Sequence, residues 1–351
     1  MINGIELLSL FFISVIVLFI SRKVAKAVNL VDLPNARKQH QGPVPIVGGI
    51  AITICYLFFL SRHTSLMPAT SVHILGVTTL AVIGALDDKK GLGIKLRLAV
   101  QTLIALLMIL GANIKLEYFG FLVGDISINF PSWSYPVTIL AVITAINAFN
   151  MIDGLDGLLG SLSIIIFSSL AVLLLYHGQT NLAYVCLSLI TIISAYLLLN
   201  MGLLGKRFRI FMGDAGSMVI GWTVLWFLLQ STQQPLQVIK PVTALWIIAL
   251  PLMDMVATIV RRIRKKQSPF QADRTHIHHI LLKLGLSKTS TLLVLAGISA
   301  LFSSIGIICD IKNIPDSTMF YTFLTLFGLY NVSVNTLISR INKKAVLLSN
   351  V

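Results

Sequence analysis

Apolar residues run along this 351-residue chain in long unbroken stretches, with the polar residues gathered into short segments between them. A helix needs roughly 20 apolar residues to cross a hydrocarbon core of about 30 Å. Stretches near 3–21, 44–61, 69–86, 96–112, 134–150, 160–176, 181–199, 212–230, 241–260, 289–309 and 318–338 approach that length. The pattern predicts an all-α, polytopic membrane protein of about eleven transmembrane helices. Two stretches fit least well: 44–61 opens with Pro45, Gly48 and Gly49, and 134–150 ends in polar residues. The N-terminal apolar run, Leu7 to Ile20, is preceded by Glu6 rather than a cation and lacks a small-residue cleavage site, so it reads as a retained span and not a signal peptide. No internal repeat, low-complexity tract or soluble segment of domain size interrupts the series, which predicts a single integral-membrane domain over 1–351.

Composition agrees: 56% of residues are hydrophobic and 11% charged, against about 25% charged in soluble domains. The net charge of +14 does not point to nucleic acid, because the cations lie between apolar runs and not on one soluble face. Of the 27 Lys and Arg, 23 follow spans 1, 3, 7, 9 and 11, while the opposite side holds Arg62, Lys115, Lys240 and Lys312. Cations favour the cytoplasmic side, so the N-terminus is expected in the periplasm and the C-terminus in the cytoplasm of a bacterial inner membrane. Cys55, Cys186 and Cys309 are far apart inside apolar runs and read as buried small hydrophobes.

The 13 acidic residues gather mostly on the same cytoplasmic side. Asp87 and Asp88 end span 3, Asp153 and Asp156 follow span 5, and Asp214 opens span 8. Asp32 and Asp273 lie in cytoplasmic loops, and Asp254 lies roughly 10 Å inside span 9. Ionised groups beside hydrocarbon are costly and mark functional sites. Hard oxygen ligands of this kind suit Mg²⁺, which takes one or two carboxylates together with substrate phosphates. Helix capping or pairing with nearby Lys is the plainer account. It is balanced with function for Asp32 and Asp273, and weaker for Asp87-Asp88 and Asp153-x-x-Asp156, where paired acids repel each other. Adjacent helical residues point about 100° apart, so Asp87 and Asp88 are expected to serve different partners. Asn150 and Asp153 share a face if the helix persists. The segment from Gly213 to Ser217 reads as a loop entering a helix whose free amides favour an anion.

The expected functional loops are 22–43, 87–95, 150–159, 200–216 and 261–288, all on one face. In the last, Arg261 to Lys266 reads as an orientation signal that contacts membrane lipids. Arg274 with His276, His278 and His279 could clamp a pyrophosphate. A zinc site is disfavoured, since no Cys accompanies these histidines and zinc ligands usually come from more than one short run. In the first loop, Arg37, Lys38 and His40 place cations near the headgroup level beside Pro34, Pro43 and Pro45.

Five strings occur together: Val31-Asp32 through Gly48-Gly49, Gly84 to Asp88, Asn147 to Leu158, Phe211 to Ser217, and Asp273 to His279. In this order the chain resembles the polyprenyl-phosphate N-acetylhexosamine 1-phosphate transferases over nearly its whole length. Within them it looks most like the branch that uses UDP-GlcNAc, through Ile146 to Gly154, Pro241 to Ala249 and Arg274 to His279. Ile277 interrupts the run of three histidines usual in the muramoyl-pentapeptide branch. The resemblance implies UDP-GlcNAc as donor, undecaprenyl phosphate as acceptor, UMP as leaving group and Mg²⁺ (or Mn²⁺) as cofactor. It also implies the first lipid-linked step of O-antigen or enterobacterial common antigen synthesis. By motif, Asp214 is implied as metal ligand, with Asn150, Asp153 and Asp156 on metal-bridged phosphates and nucleotide. Asp87 and Asp88 are implied at the acceptor phosphate, the histidine segment at the pyrophosphate, and Arg37, His40 and Asp254 in substrate binding. The tail after Lys344 is shorter than in some relatives, which bears on headgroup anchoring alone.

Direct in-line displacement is expected over a two-step route through an aspartyl-phosphate, because the acceptor is already an anionic nucleophile. The alternatives are the same reaction with another UDP-HexNAc and, more distantly, a secondary transporter. Transporters place charges near the midplane among repeats, whereas here only Asp254 is intramembrane. A CDP-alcohol phosphotransferase fails because Asp156-Gly157 runs on into Leu158-Leu159-Gly160. The sequence leaves the oligomeric state open, a homodimer being one option.

Overall fold

The computed structural model describes residues 2–33, 42–268 and 275–349, with side chains described through Ile341. Arg37 and His40, and likewise Asp273 and Arg274, lie outside the described residues.

Each of the eleven apolar stretches is helical. In chain order the helices are α1 Gly4–Ala27, α2 Gly48–Arg62, α3 Thr70–Lys90, α4 Ile94–Ala112, α5 Ser134–Ile152, α6 Leu158–Tyr176 and α7 Thr180–Asn200. They continue with α8 Gly213–Thr232, α9 Pro241–Ile247, α10 Ala249–Arg264, the short α11 Ile277–Lys283, α12 Lys288–Ile311 and α13 Asp316–Ser349. Among the described residues eight of these are long and apolar enough to cross a membrane, and α9 with α10 form a ninth candidate bent by 80°. The protein is therefore a multi-pass membrane protein.

Two of the expected spans depart from a continuous helix. The stretch 44–61 begins as a strand, leaving α2 with 15 helical residues. The stretch 241–260 breaks at Ile248, because Pro251 has no N–H for the Ile247 carbonyl four residues back. Ser303 Oγ of α12 donates to that freed carbonyl instead, at 3.3 Å. Along α13, Thr, Tyr and Asn interleave with the apolar residues.

The all-α expectation also needs amending. Strands β1 (Val31–Asp32) and β2 (Val44–Pro45) pair antiparallel, as do β3 (Tyr118–Val123) and β4 (Ile126–Asn129). The second hairpin follows α4 and is tied down where Asp316 Oδ2 accepts from Phe121 N at 3.0 Å.

Helix α8 is the axis of the bundle and is buried along its length. Around it pack α2, α3, α5 and α6. Lipid is as apolar as a leucine side chain, so helices in a bilayer associate through close packing of small residues and not through apolar burial. A Cβ on Gly49 would collide with the Gly216 backbone, and one on Gly84 with the Ala215 backbone. These contacts bring α2 and α3 against the first turn of α8, and with them the ends that carry Asp88 and Asp214.

Candidate active site

The end of α3 divides its two acids, as their 100° separation requires. Asp87 is buried and turns toward α4, where Arg97 Nη1 donates to its Oδ2 at 2.8 Å. Its Oδ1 accepts from Leu92 N at 2.6 Å, closing the α3–α4 turn. Asp88 turns the other way, onto the start of α8. Its Oδ1 accepts from Asp214 N at 2.9 Å and its Oδ2 from Ala215 N at 3.4 Å. The anion expected at these amides is thus a side chain of the protein itself, stabilised by the positive end of the helix.

Asp214 follows Gly213, whose φ of 76° suits a residue without a side chain. Asn150 Nδ2, from the last turn of α5, donates to Asp214 Oδ1 at 2.6 Å and to Ser217 Oγ at 2.9 Å. Arg97 completes the cluster, with Nη2 donating to Asn150 Oδ1 at 3.3 Å and Nη1 at 3.6 Å from Asp214 Oδ2. Asp87, Asn150 and Asp214, supplied by α3, α5 and α8, therefore meet about one guanidinium from α4, and Asp88 joins them through the Asp214 amide.

Asp153 and Asn150 do not share a helical face, because α5 ends at Ile152 and Asp153 takes φ −74°, ψ 64°. The turn that follows is fixed by Gly157 N, which donates to Asn200 Oδ1 at 2.6 Å. Asp156 faces Arg209 at 3.4 Å. The Asp153 carboxyl is pushed up to about 8, first by loss of hydration and then by the charges of Asp214, Asp88 and Asp156.

The histidine segment reaches the same turn. A Cβ on Gly154 would collide with His278 Nε2, so His278 packs directly on the backbone beside Asp153. His278 is 1% exposed, and neither ring nitrogen has a partner among the described residues. Burial, together with the neighbouring His279 charge, brings its imidazole down to about 3. His276 and His278 stack with rings 6.0 Å apart and 7° from parallel, and His279 lies 4.1 Å from His278. Asp254 joins this group and not the carboxylates. It is 1% exposed and both its oxygens accept hydrogen bonds within the protein, so it holds the segment instead of facing a substrate.

Sequence reasoning missed Arg97 as a site residue, counting it as an orientation charge. The available signal was its position one turn inside an apolar span, where a cation is costly. It also missed Ser217, Arg209 and Tyr330, whose roles depend on tertiary placement.

A partly buried cluster of carboxylates, an amide and a guanidinium at one end of a membrane bundle has the groups that phosphoryl transfer uses for positioning and charge neutralisation. Residues 70–232, from the first residue of α3 to the last of α8, match the sequence model of glycosyl transferase family 4. The chain is 43% identical over 332 residues to an undecaprenyl-phosphate alpha-N-acetylglucosaminyl 1-phosphate transferase of Escherichia coli O157:H7, covering 94% of this chain and 90% of the relative. Proteins of the same name from Yersinia pestis and Haemophilus influenzae are 43% and 41% identical, over 94% and 90% of this chain and 90% of each relative. The chain belongs to glycosyl transferase family 4 and is a transferase.

Proposed function

We propose that the chain transfers GlcNAc 1-phosphate from UDP-GlcNAc to undecaprenyl phosphate, giving undecaprenyl-diphosphate-GlcNAc and UMP. The observation that carries this is the meeting of Asp87, Asn150 and Asp214 about Arg97, with Asp88 on the Asp214 amide, in a chain 43% identical over 94% of its length to a transferase named for that reaction. An oxygen of the acceptor phosphate attacks the sugar-linked phosphorus of the donor. The new P–O bond forms as the bond to the bridging oxygen breaks, and UMP departs with that oxygen and its charge. The acceptor enters as an anion, so this exchange needs no proton transfer, and positioning with charge neutralisation carries the rate.

The residues divide as follows in this reading. Arg97, held by Asp87, presents a guanidinium to the acceptor phosphate, and Asp88 fixes the start of α8. Asn150 and Asp156 orient the donor. His276, His278 and His279 line the donor pyrophosphate beside the Asp153 turn, with Arg274, Arg37 and His40 assigned to the same anions by motif. The donor set also fits Mg²⁺ or Mn²⁺, which would neutralise charge on the pyrophosphate when bound. Among the described residues no three acids or histidines form a closed metal cage. An ion that keeps substrate phosphates and water in its shell needs none. Asp214 and Asp153 would hold it.

The same reading places eleven membrane crossings in a bacterial inner membrane, with the N-terminus periplasmic and the site on the cytoplasmic face. It assigns the reaction to the first lipid-linked step of O-antigen or enterobacterial common antigen assembly. The test is UMP release by purified protein given polyprenyl phosphate and, in turn, UDP-GlcNAc, UDP-GalNAc and UDP-MurNAc-pentapeptide. Release with UDP-GlcNAc alone supports the reading, and a preference for either other donor overturns it.

A further inference from the structure

Asp254 lies in α10, within the protein interior, where an ionised carboxylate is costly unless its oxygens are satisfied. Three donors from three directions converge on it. His276 Nδ1 lies 2.7 Å from Oδ2. Ile277 N, in the first turn of α11, donates to Oδ1 at 2.9 Å. Tyr330 O–H, from the distant α13, donates to the same oxygen at 3.0 Å.

This geometry fixes a tautomer. A carboxylate only accepts hydrogen bonds, so the His276 proton sits on Nδ1. The other ring nitrogen, Nε2, has Arg262 Nη2 at 3.5 Å. A guanidinium only donates, so Nε2 faces it as a lone pair. Arg261 adds a further constraint, with Nη2 donating to the Thr275 carbonyl at 2.9 Å.

The consequence passes along the segment. His276 stacks parallel on His278, and His278 rests on Gly154 beside Asp153. The ring of His276 and the first turn of α11 are thus held at Asp254, and the seat of His278 on the Asp153 turn follows from both. Tyr330 occupies the remaining approach to Oδ1 and ties α13 to the same point.

We propose that Asp254 and Tyr330 are positioning residues that set the tautomer and orientation of His276 and, through α11, the seat of His278 at the Asp153 turn. Their part in catalysis rests on the functional reading above, in which the histidines line the donor pyrophosphate. Partners that orient an imidazole in this way are worth about 10- to 100-fold where they have been measured at metal sites.

The test uses the full chain in proteoliposomes with ¹⁵N-labelled histidine, the His276 signals being assigned by difference from His276→Gln. The wild type is expected to show His276 protonated at Nδ1. Tyr330→Phe, which keeps the ring and removes one donor, is expected to move those signals, and Asp254→Asn to shift the proton toward Nε2. Protonation of His276 at Nε2 in the wild type, or signals unmoved in Tyr330→Phe, overturns the proposal.

Kinetics add a second readout. Tyr330→Phe is expected to lower kcat/KM for the sugar nucleotide by about 10-fold, with the KM for polyprenyl phosphate unchanged. In a His276→Gln background it is expected to cost nothing more, since the residue it acts through is gone. A loss that multiplies in the double variant, or an equal rise in the KM for polyprenyl phosphate, would make Tyr330 a packing residue and overturn the proposal. If the wild type released no UMP from any donor, the functional reading would fail while the histidine signals still decided the positioning claim.

Discussion

Replacing Arg97 by Gln tests the site where structure and proposed function depend on the same side chain. Asp87 is 6% exposed at its side chain and Arg97 20%, with 2.8 Å between the charged atoms. At an effective dielectric of about 20, charges at that distance attract by about 6 kcal/mol before desolvation is counted. Removing one partner of such a pair leaves a buried charge alone and costs about 3–5 kcal/mol. The partial exposure of Arg97 and the surviving Leu92 N–H bond to Asp87 place the loss near the lower end, at about 3 kcal/mol.

At 2–4 °C per kcal/mol, the midpoint in detergent is expected to fall by roughly 6–12 °C. Arg97→Lys keeps the charge but loses the second arm to Asn150, and is expected to fall between the two. In an Asp87→Asn background Arg97→Gln is expected to cost much less, since no charge is then orphaned. UMP release by the single variant is expected to drop by about 10²–10³-fold, the cost of losing one preorganised donor to a phosphate. Wild-type stability in Arg97→Gln, or equal losses in both backgrounds, would refute the claim that this guanidinium holds the carboxylates together.

Gly154→Ala places a methyl against the buried His278 ring. It is expected to destabilise by about 1–3 kcal/mol and to weaken UDP binding in calorimetry, whereas Gly154→Ala with wild-type affinity would detach His278 from the turn. The Asp153 carboxyl holds its proton up to about 8 in the fold, against about 4 for a free aspartate. Its contribution to stability is therefore complete below pH 4 and lost as pH rises through 8. With chelator present, the midpoint of Asp153→Asn is expected to gain on the wild type between pH 6 and 8.5, and parallel curves would deny the shift. Periplasm-only reporters fused after Asn181 or Gln234 are expected to be active and one after Lys266 silent, the reverse pattern inverting the proposed orientation. Direct displacement forbids exchange of labelled UMP into UDP-GlcNAc without lipid acceptor, so robust exchange in rigorously delipidated protein would establish the two-step route.

Much of the bundle was legible because hydropathy is a property of consecutive residues. The apolar stretches coincide with helices, and the divergence of Asp87 from Asp88 follows from helical geometry alone. What escaped depends on contacts between distant segments. Pro251 was visible in the sequence, yet the apolar run around it hid the break at Ile248, which is stabilised by Ser303 from another helix. The β3–β4 hairpin was hidden by its brevity and by Gly120 and Gly124, which interrupt the alternation a strand would show. The histidine segment stood out as a cluster, but its attachment to Asp254 and Tyr330 requires α10, α11 and α13 to be packed together first.

The distribution of charge in the site bears on where a divalent cation would go. Asp88 is offset by the amides at the start of α8, which carry roughly half a positive charge. Asp87 is offset by Arg97, which also lies within 3.6 Å of Asp214, and Asp156 by Arg209. Among the described residues no such partner is assigned to Asp153, and its raised proton affinity follows first from loss of hydration and then from the charges of Asp214, Asp88 and Asp156. Asp153 therefore holds a proton near neutral pH where the other acids hold a partner, and its charge appears when a cation displaces that proton. The His278 side chain across the turn is held neutral by burial and cannot offset it. A cation arriving with the donor pyrophosphate would be drawn to Asp153 and Asp214, and the acceptor phosphate to the Arg97 guanidinium. Each anionic substrate would then have its own counter-charge, so positioning with charge neutralisation carries the rate.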